Sequence, residues 1–142
     1  GVDSTQRMTK ADLAAGAKLI IRERLLTHGD QHAESGFVVN LNGEDSSANV
    51  ISRSVAKNNS TQVFNAEING NAKCAGHSEC DAIIMDHAKI SAIPKIVAND
   101  IDAALIHEAA IGKIAGEQLI KLMTLGLTEQ EAEAQIVNGF LK

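Results

Sequence analysis

The sequence contains no tryptophan and no tyrosine, and phenylalanine occurs only at Phe37, Phe64 and Phe140. These absences exclude a core built around many large aromatic side chains. Apolar residues nevertheless make up 44% of the chain, and they are chiefly alanine, valine, isoleucine and leucine. Small and aliphatic side chains suit thin, regularly layered packing, so the composition favours stacked β-strands.

Further absences narrow the function. There is no excess of lysine and arginine, and the formal net charge of −5 argues against binding to nucleic acid or to an anionic membrane. No apolar run approaches the roughly 20 residues that cross a bilayer, and the first residues lack the apolar stretch of a secretory signal. We therefore expect one cytoplasmic domain whose cysteines stay reduced.

Strand patterns occupy the first two thirds of the chain. The apolar or alternating segments that indicate short strands are Leu19–Leu26, Phe37–Leu41, Phe64–Ile68, Ala82–Met85 and Ile90–Val97. Polar turn residues separate these segments. The only proline, Pro94, marks its segment as an edge strand, a bend or a strand end.

Two sheet architectures fit these segments. Short strands joined by polar turns are typical of a parallel β-helix, whereas Asn69-Gly70 is typical of the turn of an antiparallel hairpin. No clean repeat period is visible, so the pattern alone leaves both architectures open.

The pattern becomes helical after about Asp102. The segment Glu117–Leu125 has helical apolar spacing and is followed by Gly126, which suits a left-handed cap. Thr128 and Glu131 then have the spacing of a capping box at the start of a second helix. This change of pattern predicts a tail made of two helices with a short joint.

The second helix has an apolar stripe made of Ala132, Ile136, Val137 and Phe140. Such a stripe either packs on the rest of the protein or docks a partner. The domain prediction is a β-part over residues 1–99 and a helical region over residues 100–142.

The two cysteines lie close together in the stretch Cys-Ala-Gly-His-Ser-Glu-Cys, with His77 between Cys74 and Cys80. In an extended strand the cysteines would lie about 20 Å apart. Thiolate–zinc bonds are about 2.3 Å long, so a shared ion requires the chain to turn at the alanine–glycine pair. With such a turn, and with His87 as a fourth ligand, the stretch would form a closed structural zinc site. The alternatives are two buried thiols and a labile or shared metal site.

A second candidate site is His107, which together with Glu108 interrupts an otherwise apolar run. The imidazole is either a hydrogen-bonded structural residue or a ligand. If the run is extended, His107 and Glu108 point to opposite faces and need not serve one site. No Ser-His-Asp arrangement, phosphate-binding loop or HExxH motif is present, so we expect no catalytic residues and no enzymatic activity.

Four segments of the chain carry a family resemblance. They are His-Ser-Glu-Cys-Asp-Ala-Ile-Ile-Met-Asp (77–86), Ala-Ile-Pro-Lys-Ile (92–96), Ile-His-Glu-Ala-Ala-Ile-Gly-Lys-Ile (106–114) and Glu-Gln-Leu-Ile-Lys-Leu-Met-Thr-Leu-Gly-Leu-Thr-Glu (117–129). Together they resemble the C-terminal core of the SufB/SufD family, and Ile-Val-Asn-Gly-Phe-Leu (136–141) continues the match.

The resemblance implies a mainly β protein with an α-helical C-terminal tail, namely a right-handed parallel β-helix followed by helices. It also implies a role in the scaffold for iron–sulfur cluster assembly, with a transient iron–sulfur cluster as the bound group. In this family the SufC ATPase docks on the helical region, and two SufB/SufD-type subunits meet through their β-helices. We therefore expect a homo- or hetero-oligomer.

The resemblance also implies roles for individual residues. His107 aligns with the histidine that SufD-type proteins contribute near the subunit interface, and Glu108 aligns with the glutamate that follows it in SufB-type proteins. The cysteine that SufB-type scaffolds use would fall at about Ala88 and is missing, which makes the chain SufD-like. Cys80 is the best remaining thiol. The expected cluster ligands are therefore His107, Cys80 and Glu108, and the further metal-binding candidates are Cys74 and His77.

Family members are considerably longer than this chain. We therefore expect either a short member or an excised core, whose open first coil promotes self-association. Two other functions are compatible with the residues. One is a metal-free β-solenoid adaptor that links the ATPase to another subunit, and the other is a structural zinc protein that unfolds on chelation.

Overall fold

The computed structural model describes all 142 residues, with eight β-strands followed by two α-helices. The strands are β1 (Ser4–Leu13), β2 (Lys18–Thr27), β3 (His32–Leu41), β4 (Ser46–Ala56), β5 (Thr61–Gly70), β6 (Cys74–Ile84), β7 (Lys89–Ala98) and β8 (Ala103–Gly112). The helices are α1 (Gly116–Thr124) and α2 (Glu129–Phe140).

The strands form two parallel four-stranded sheets, one in the order β1-β3-β5-β7 and the other in the order β2-β4-β6-β8. Successive strands alternate between the sheets, so the backbone winds into a β-solenoid of about four turns. The prediction of a parallel β-helix with a helical tail is confirmed. The hairpin alternative at Asn69-Gly70 is wrong, because the strand after Gly70 pairs with β4 and β8 of the other sheet.

The coils repeat every 28 or 29 residues, a period that the apolar pattern of the sequence does not reveal. Ser4 pairs with His32, and His32 pairs with Thr61. The offset alternates by one residue, and equivalent core positions carry different apolar side chains. Both features hide the repeat from inspection.

Polar turn residues carry the same period. The turn residues with a left-handed backbone at this spacing are Gly29, Asn58 and Asp86, with φ of 58°, 58° and 56°. Glycine, asparagine and aspartate adopt this conformation most readily. Asn42, Asn71 and Asn99 form a ladder, in which each later side-chain amide donates to the side-chain carbonyl before it over 2.7 Å. The repeat is therefore visible in the turn residues and not in the apolar residues of the strands.

The core lies mainly in the two middle coils, because alternate side chains of their strands point inward. In β5 every second residue is buried from Gln62 onward. The main cluster is Leu13, Phe37, Val39, Leu41, Ala48, Val50, Phe64, Ala66, Ile68, Cys74 and Cys80. The rings of Phe37 and Phe64 have their centroids 5.8 Å apart. The strands β1 and β8 are more exposed, because only one neighbouring coil covers each of them.

The last coil ends the solenoid with two edge strands, β7 and β8. Pro94 lies within β7, so of the three places predicted for it the edge strand is the correct one. The strands also continue beyond residue 99, where the sequence predicted that the β-part ends. The sequence pattern does not predict β8, because its alanines occupy both faces and leave little alternation between apolar and polar residues. The helical region begins only at Gly116.

The helix caps agree with their sequence signals. Gly126 follows α1 with φ of 95°. The Thr128 hydroxyl accepts a hydrogen bond from the Glu131 backbone N–H, while the Glu131 carboxylate accepts from the Thr128 backbone N–H over 2.8 Å. The predicted capping box is therefore confirmed.

The two helices differ in how they are covered. Val137 of α2 packs with Val55 and Met85, so the predicted stripe contacts the solenoid. Helix α1 has no buried residue, and its Ile120 and Met123 are 62% and 43% exposed. Neither α1 nor α2 has the length and apolar character of a helix that crosses a membrane.

Candidate functional site

The candidate residues lie on β6 and β8, which are neighbours in one sheet. In the parallel register Ser78 is the partner of His107, and Glu79 is the partner of Glu108. Successive side chains of a strand point to opposite faces. Ser78 is 1% exposed and faces inward, so the residues divide into an inner set and an outer set.

The inner set contains Cys80 on β6 and His107 on β8. Cys80 is the register partner of Ala109, so His107 lies two positions away on the neighbouring strand. Neighbouring strands lie about 4.8 Å apart and each residue advances about 3.3 Å along a strand, so these two backbone positions are about 8 Å apart. The Ser78 hydroxyl and the His107 Nδ1 are both buried without a hydrogen-bond partner. Since buried polar atoms are normally paired, this part of the interior has unused hydrogen-bonding capacity.

A buried carboxylate belongs to the same inner face and was not predicted. Glu23 accepts hydrogen bonds from the hydroxyls of Ser35 and Ser52 over 2.6 Å and 2.9 Å, and from the guanidinium of Arg7 over 3.2 Å. Glu23, Ser52 and Cys80 occupy equivalent inward positions on three successive strands of the sheet. The sequence signal for this carboxylate is that Glu23 occupies an inward position of β2, where an alternating strand normally has an apolar residue.

The Cys80 thiol is protonated at neutral pH. Burial, followed by the negative charges of Asp81 and Glu23, raises its pKa from 9.0 to about 11. The thiolate is the form that binds metals. Metal binding by Cys80 therefore requires the loss of this proton.

The outer set contains His77, Glu79 and Glu108, whose ligand atoms all lie within 4.8 Å of one another. His77 Nε2 is 2.9 Å from Glu108 Oε2, and His77 Nδ1 is 2.9 Å from Asn49 Oδ1. A hydrogen bond with Asp81 raises the pKa of Glu79, and burial adds to this effect. Glu79 and Asn49 were not predicted, because only the pairing of β4, β6 and β8 brings these side chains together.

The closed zinc site, one of the alternatives left open by the sequence, is wrong, because β6 is extended from Cys74 to Ile84. Cys74 and Cys80 are therefore about 20 Å apart, at roughly 3.3 Å per residue. His77 points to the opposite face, and His87 lies in the exposed turn after β6. One ion cannot contact this set of side chains.

The structure also divides the ligand set that the family resemblance implied. Cys80 and His107 lie on the inner face, whereas Glu108 lies on the outer face with His77. His107 and Glu108 thus point to opposite faces, as an extended run predicts. The metal-binding roles of these residues stay predictions.

Comparison with known proteins identifies the relatives of the chain. A family model described as SUF system FeS cluster assembly, SufBD core domain, matches residues 4–140. An iron-sulfur cluster assembly SufBD family protein of Methanothermobacter thermautotrophicus is 35% identical over 127 residues, which are 88% of this chain and 31% of that protein. Proteins of the same description from Methanocaldococcus jannaschii and Pyrococcus horikoshii are 41% and 38% identical. They match 73% and 83% of this chain, and the matches cover 33% and 27% of those proteins.

Proposed function

Because this chain belongs to the SufBD family of iron–sulfur cluster assembly proteins, we propose that it acts as a SufB/SufD-type scaffold subunit with a SufC-type ATPase. The chain spans only 31%, 33% and 27% of the length of the three relatives named above. The cluster under assembly is the cargo. On this proposal the chain binds and positions the cargo and its partners, and it is not itself an enzyme.

The observation that carries this proposal is the environment of His107. Its Nδ1 is buried on the last coil without a hydrogen-bond partner, and Cys80 lies on the neighbouring strand at the same inner face. A neutral imidazole has one nitrogen lone pair for a metal. Iron accepts both imidazole and thiolate ligands. The inner face thus offers one nitrogen donor and one sulfur donor.

The protonated state of Cys80 supports a transient site. Its pKa of about 11 means that the sulfur binds iron only when the proton leaves. Two ligands from this chain leave the other coordination positions to sulfide or to a partner subunit. A cluster held by so few protein ligands can be released, which is what a scaffold requires.

The open end of the solenoid supports an interface with another SufB/SufD-type subunit or with a second copy of this chain. The edge strands β7 and β8 have no further strand beside them, and Ile96 and Ile111 on these strands are partly exposed. Unpaired strand edges next to apolar side chains favour association. A partner on this coil would cover His107 and add ligands.

The helical tail supports docking of the ATPase. Helix α1 exposes Ile120 and Met123, and Leu125 directly after it is 79% exposed. Amphipathic helices commonly dock through such apolar side chains. Val137 anchors α2 to the solenoid, so α1 is the freer of the two helices and the better candidate for this contact.

The proposal is tested by purifying the full chain without oxygen together with the SufC-type ATPase of its own organism. Complex formation, bound iron and bound sulfide are measured for the wild type, for Ile120→Glu and for His107→Ala. We expect Ile120→Glu to lose the ATPase, because a charge enters the docking surface. We expect His107→Ala to keep the ATPase and to lose acid-labile sulfide together with the iron bound to it.

Two variants are matched controls. Ile101→Glu adds the same charge at an isoleucine that is 98% exposed in the turn after β7, and His87→Ala removes an exposed turn histidine. Both are expected to behave like the wild type. ATPase binding that persists in Ile120→Glu would contradict docking on α1. A stable complex that contains no iron in any variant would leave the chain as a metal-free adaptor.

A further inference from the structure

We propose that the outer face of β6 and β8 binds a divalent first-row transition metal ion through His77, Glu79 and Glu108. This site is separate from the inner face that carries Cys80 and His107, and it uses no sulfur ligand. The inference does not rest on the scaffold function, because it concerns metal binding by this chain alone.

The three side chains converge on one point of the outer surface. Glu79 and Glu108 are register partners on adjacent parallel strands, and His77 lies two residues before Glu79 on the same face. The ligand atoms of all three residues are within 4.8 Å of one another, and His77 Nε2 is 2.9 Å from Glu108 Oε2. Ligands bound to one ion at about 2.0–2.2 Å lie about 3–3.5 Å apart. Small side-chain rotations therefore complete the geometry.

A hydrogen bond to a third strand orients the imidazole. His77 Nδ1 is 2.9 Å from the side-chain oxygen of Asn49 on β4. When Nδ1–H donates to this oxygen, Nε2 is the nitrogen that faces the carboxylates. Metal-binding histidines commonly donate their other ring N–H to such an acceptor, which fixes the ring and its tautomer. Asn49 is therefore a positioning residue for the site.

The charges around the site favour a cation. Arg53 is paired with Asp81 at 3.9 Å, whereas neither Glu79 nor Glu108 forms a salt bridge with lysine or arginine. Asp81, which is hydrogen-bonded to Glu79, adds a third carboxylate close to the site, while Arg53 partly offsets the negative charge. Carboxylates this close repel one another when they are ionised. A divalent ion between them replaces this repulsion with attraction.

The donor set determines the class of ion. One imidazole nitrogen and two carboxylate oxygens suit Fe²⁺ and Zn²⁺, whereas Mg²⁺ and Ca²⁺ prefer oxygen ligands alone. The side chains of His77 and Glu108 are 30% and 66% exposed. Ions therefore reach the site directly from solvent, and water can occupy the other coordination positions.

The test uses the metal-free full chain, with metal ions alone as the probe. The affinity for Zn²⁺ is measured by competition with a chromophoric chelator, and the spectrum of bound Co²⁺ reports the ligand type, because thiolates give a strong near-ultraviolet band. We expect one ion per chain without a thiolate band. His77→Ala and Glu79→Gln should each weaken binding by about 100-fold or more, and Asn49→Ala by about 10- to 100-fold.

Two further variants make the result decisive. Glu67→Gln removes an outward carboxylate from the other sheet, where it pairs with Lys95, and it should keep the wild-type affinity. Cys80→Ser should also keep it, and circular dichroism checks that each variant is folded. Unchanged affinity in His77→Ala, loss of the ion in Cys80→Ser, or no binding by the wild type would each overturn the proposal. None of these results affects the scaffold proposal, which is read out by ATPase binding and iron–sulfide content.

Discussion

The inner and outer faces of β6 come from the same 11 residues and have opposite properties. The inner residues are small and buried; they are Cys74, Gly76, Ser78, Cys80 and Ala82. On the outer face His77, Glu79 and Asp81 are partly exposed, and His77 and Asp81 contact polar side chains of neighbouring strands. Residues that are adjacent in the sequence therefore share little, whereas residues one coil apart share an environment.

Side chains on the two faces are restricted by different neighbours. At Gly76 on the inner face, an added Cβ would lie 2.8 Å from a methyl carbon of Leu105 and 2.9 Å from one of Ile68. These contacts come from other strands of the solenoid, so an inner side chain depends on residues far away in the sequence. Outer side chains border solvent on one side, and they tolerate changes in size and charge more easily.

The largest expected effect comes from comparing one charge on the two faces of β4. Val50 is 1% exposed in the main core, whereas its neighbour Ile51 is half-buried on the outer face. Val50→Asp should lower the free energy of unfolding by about 4 kcal/mol or more, because it buries an unpaired carboxylate. Ile51→Asp should cost about 1 kcal/mol. Urea denaturation measures both.

Val50→Asp is at risk of not folding at all, so Val50→Ala provides a milder inner change. It should lower the free energy of unfolding by about 2 kcal/mol through lost burial and a small cavity. Similar losses for the inner and outer variants would contradict the division between the two faces.

Much of the fold was predictable because its signals are local. The alternation from Phe64 to Ile68 reports one face in contact with the core, and it correctly predicts a strand. The glycine at 126 and the capping box at Thr128 define the joint between the helices within a few residues. No local pattern reports the coil period, because it links positions 28 or 29 residues apart that carry different side chains. The sequence pattern does not reveal β8, because alanine fits either face of a strand.

The candidate site was predictable only in part, for the same reason. Cys80 is one of only two cysteines in the chain, and His107 stands in an otherwise apolar run, so both are visible as candidates in the sequence. The contributions of Glu23, Asn49 and Glu79 arise from the register between strands, which no local pattern reports. The register also divides the candidate ligands into an inner and an outer set. The extended strand β6 excludes the closed zinc site.

The pH dependence of stability provides a second test of the difference between the two faces. The pKa of the Cys80 thiol is about 11, compared with 9.0 for an unburied thiol. Because the pKa is raised in the folded state, the stabilisation is fully present below about pH 9 and is lost as the pH rises through about 11. A difference of two units corresponds to about 3 kcal/mol. Between roughly pH 8 and 11, the wild type should therefore lose about 2–3 kcal/mol more unfolding free energy than Cys80→Ala.

Ser78→Ala is the matched control for this experiment. It changes an inner residue of the same strand without removing a titrating group, so its pH dependence should follow that of the wild type. Denaturation is measured under reducing conditions, which prevents oxidation of the thiols. Parallel pH curves for the wild type and Cys80→Ala would contradict the raised pKa of this thiol.

The smallest expected effect is on the exposed asparagine ladder of the turns. Asn71 donates to Asn42 and accepts from Asn99, each over 2.7 Å. Because water competes for these exposed groups, each hydrogen bond should contribute about 0.5 kcal/mol, at the low end of the usual range. Asn71→Ala breaks two bonds and should lower the free energy of unfolding by about 1 kcal/mol, whereas Asn99→Ala breaks one bond and should cost about half as much. Equal losses in urea denaturation would mean that the asparagines act through the turn backbone rather than through the ladder.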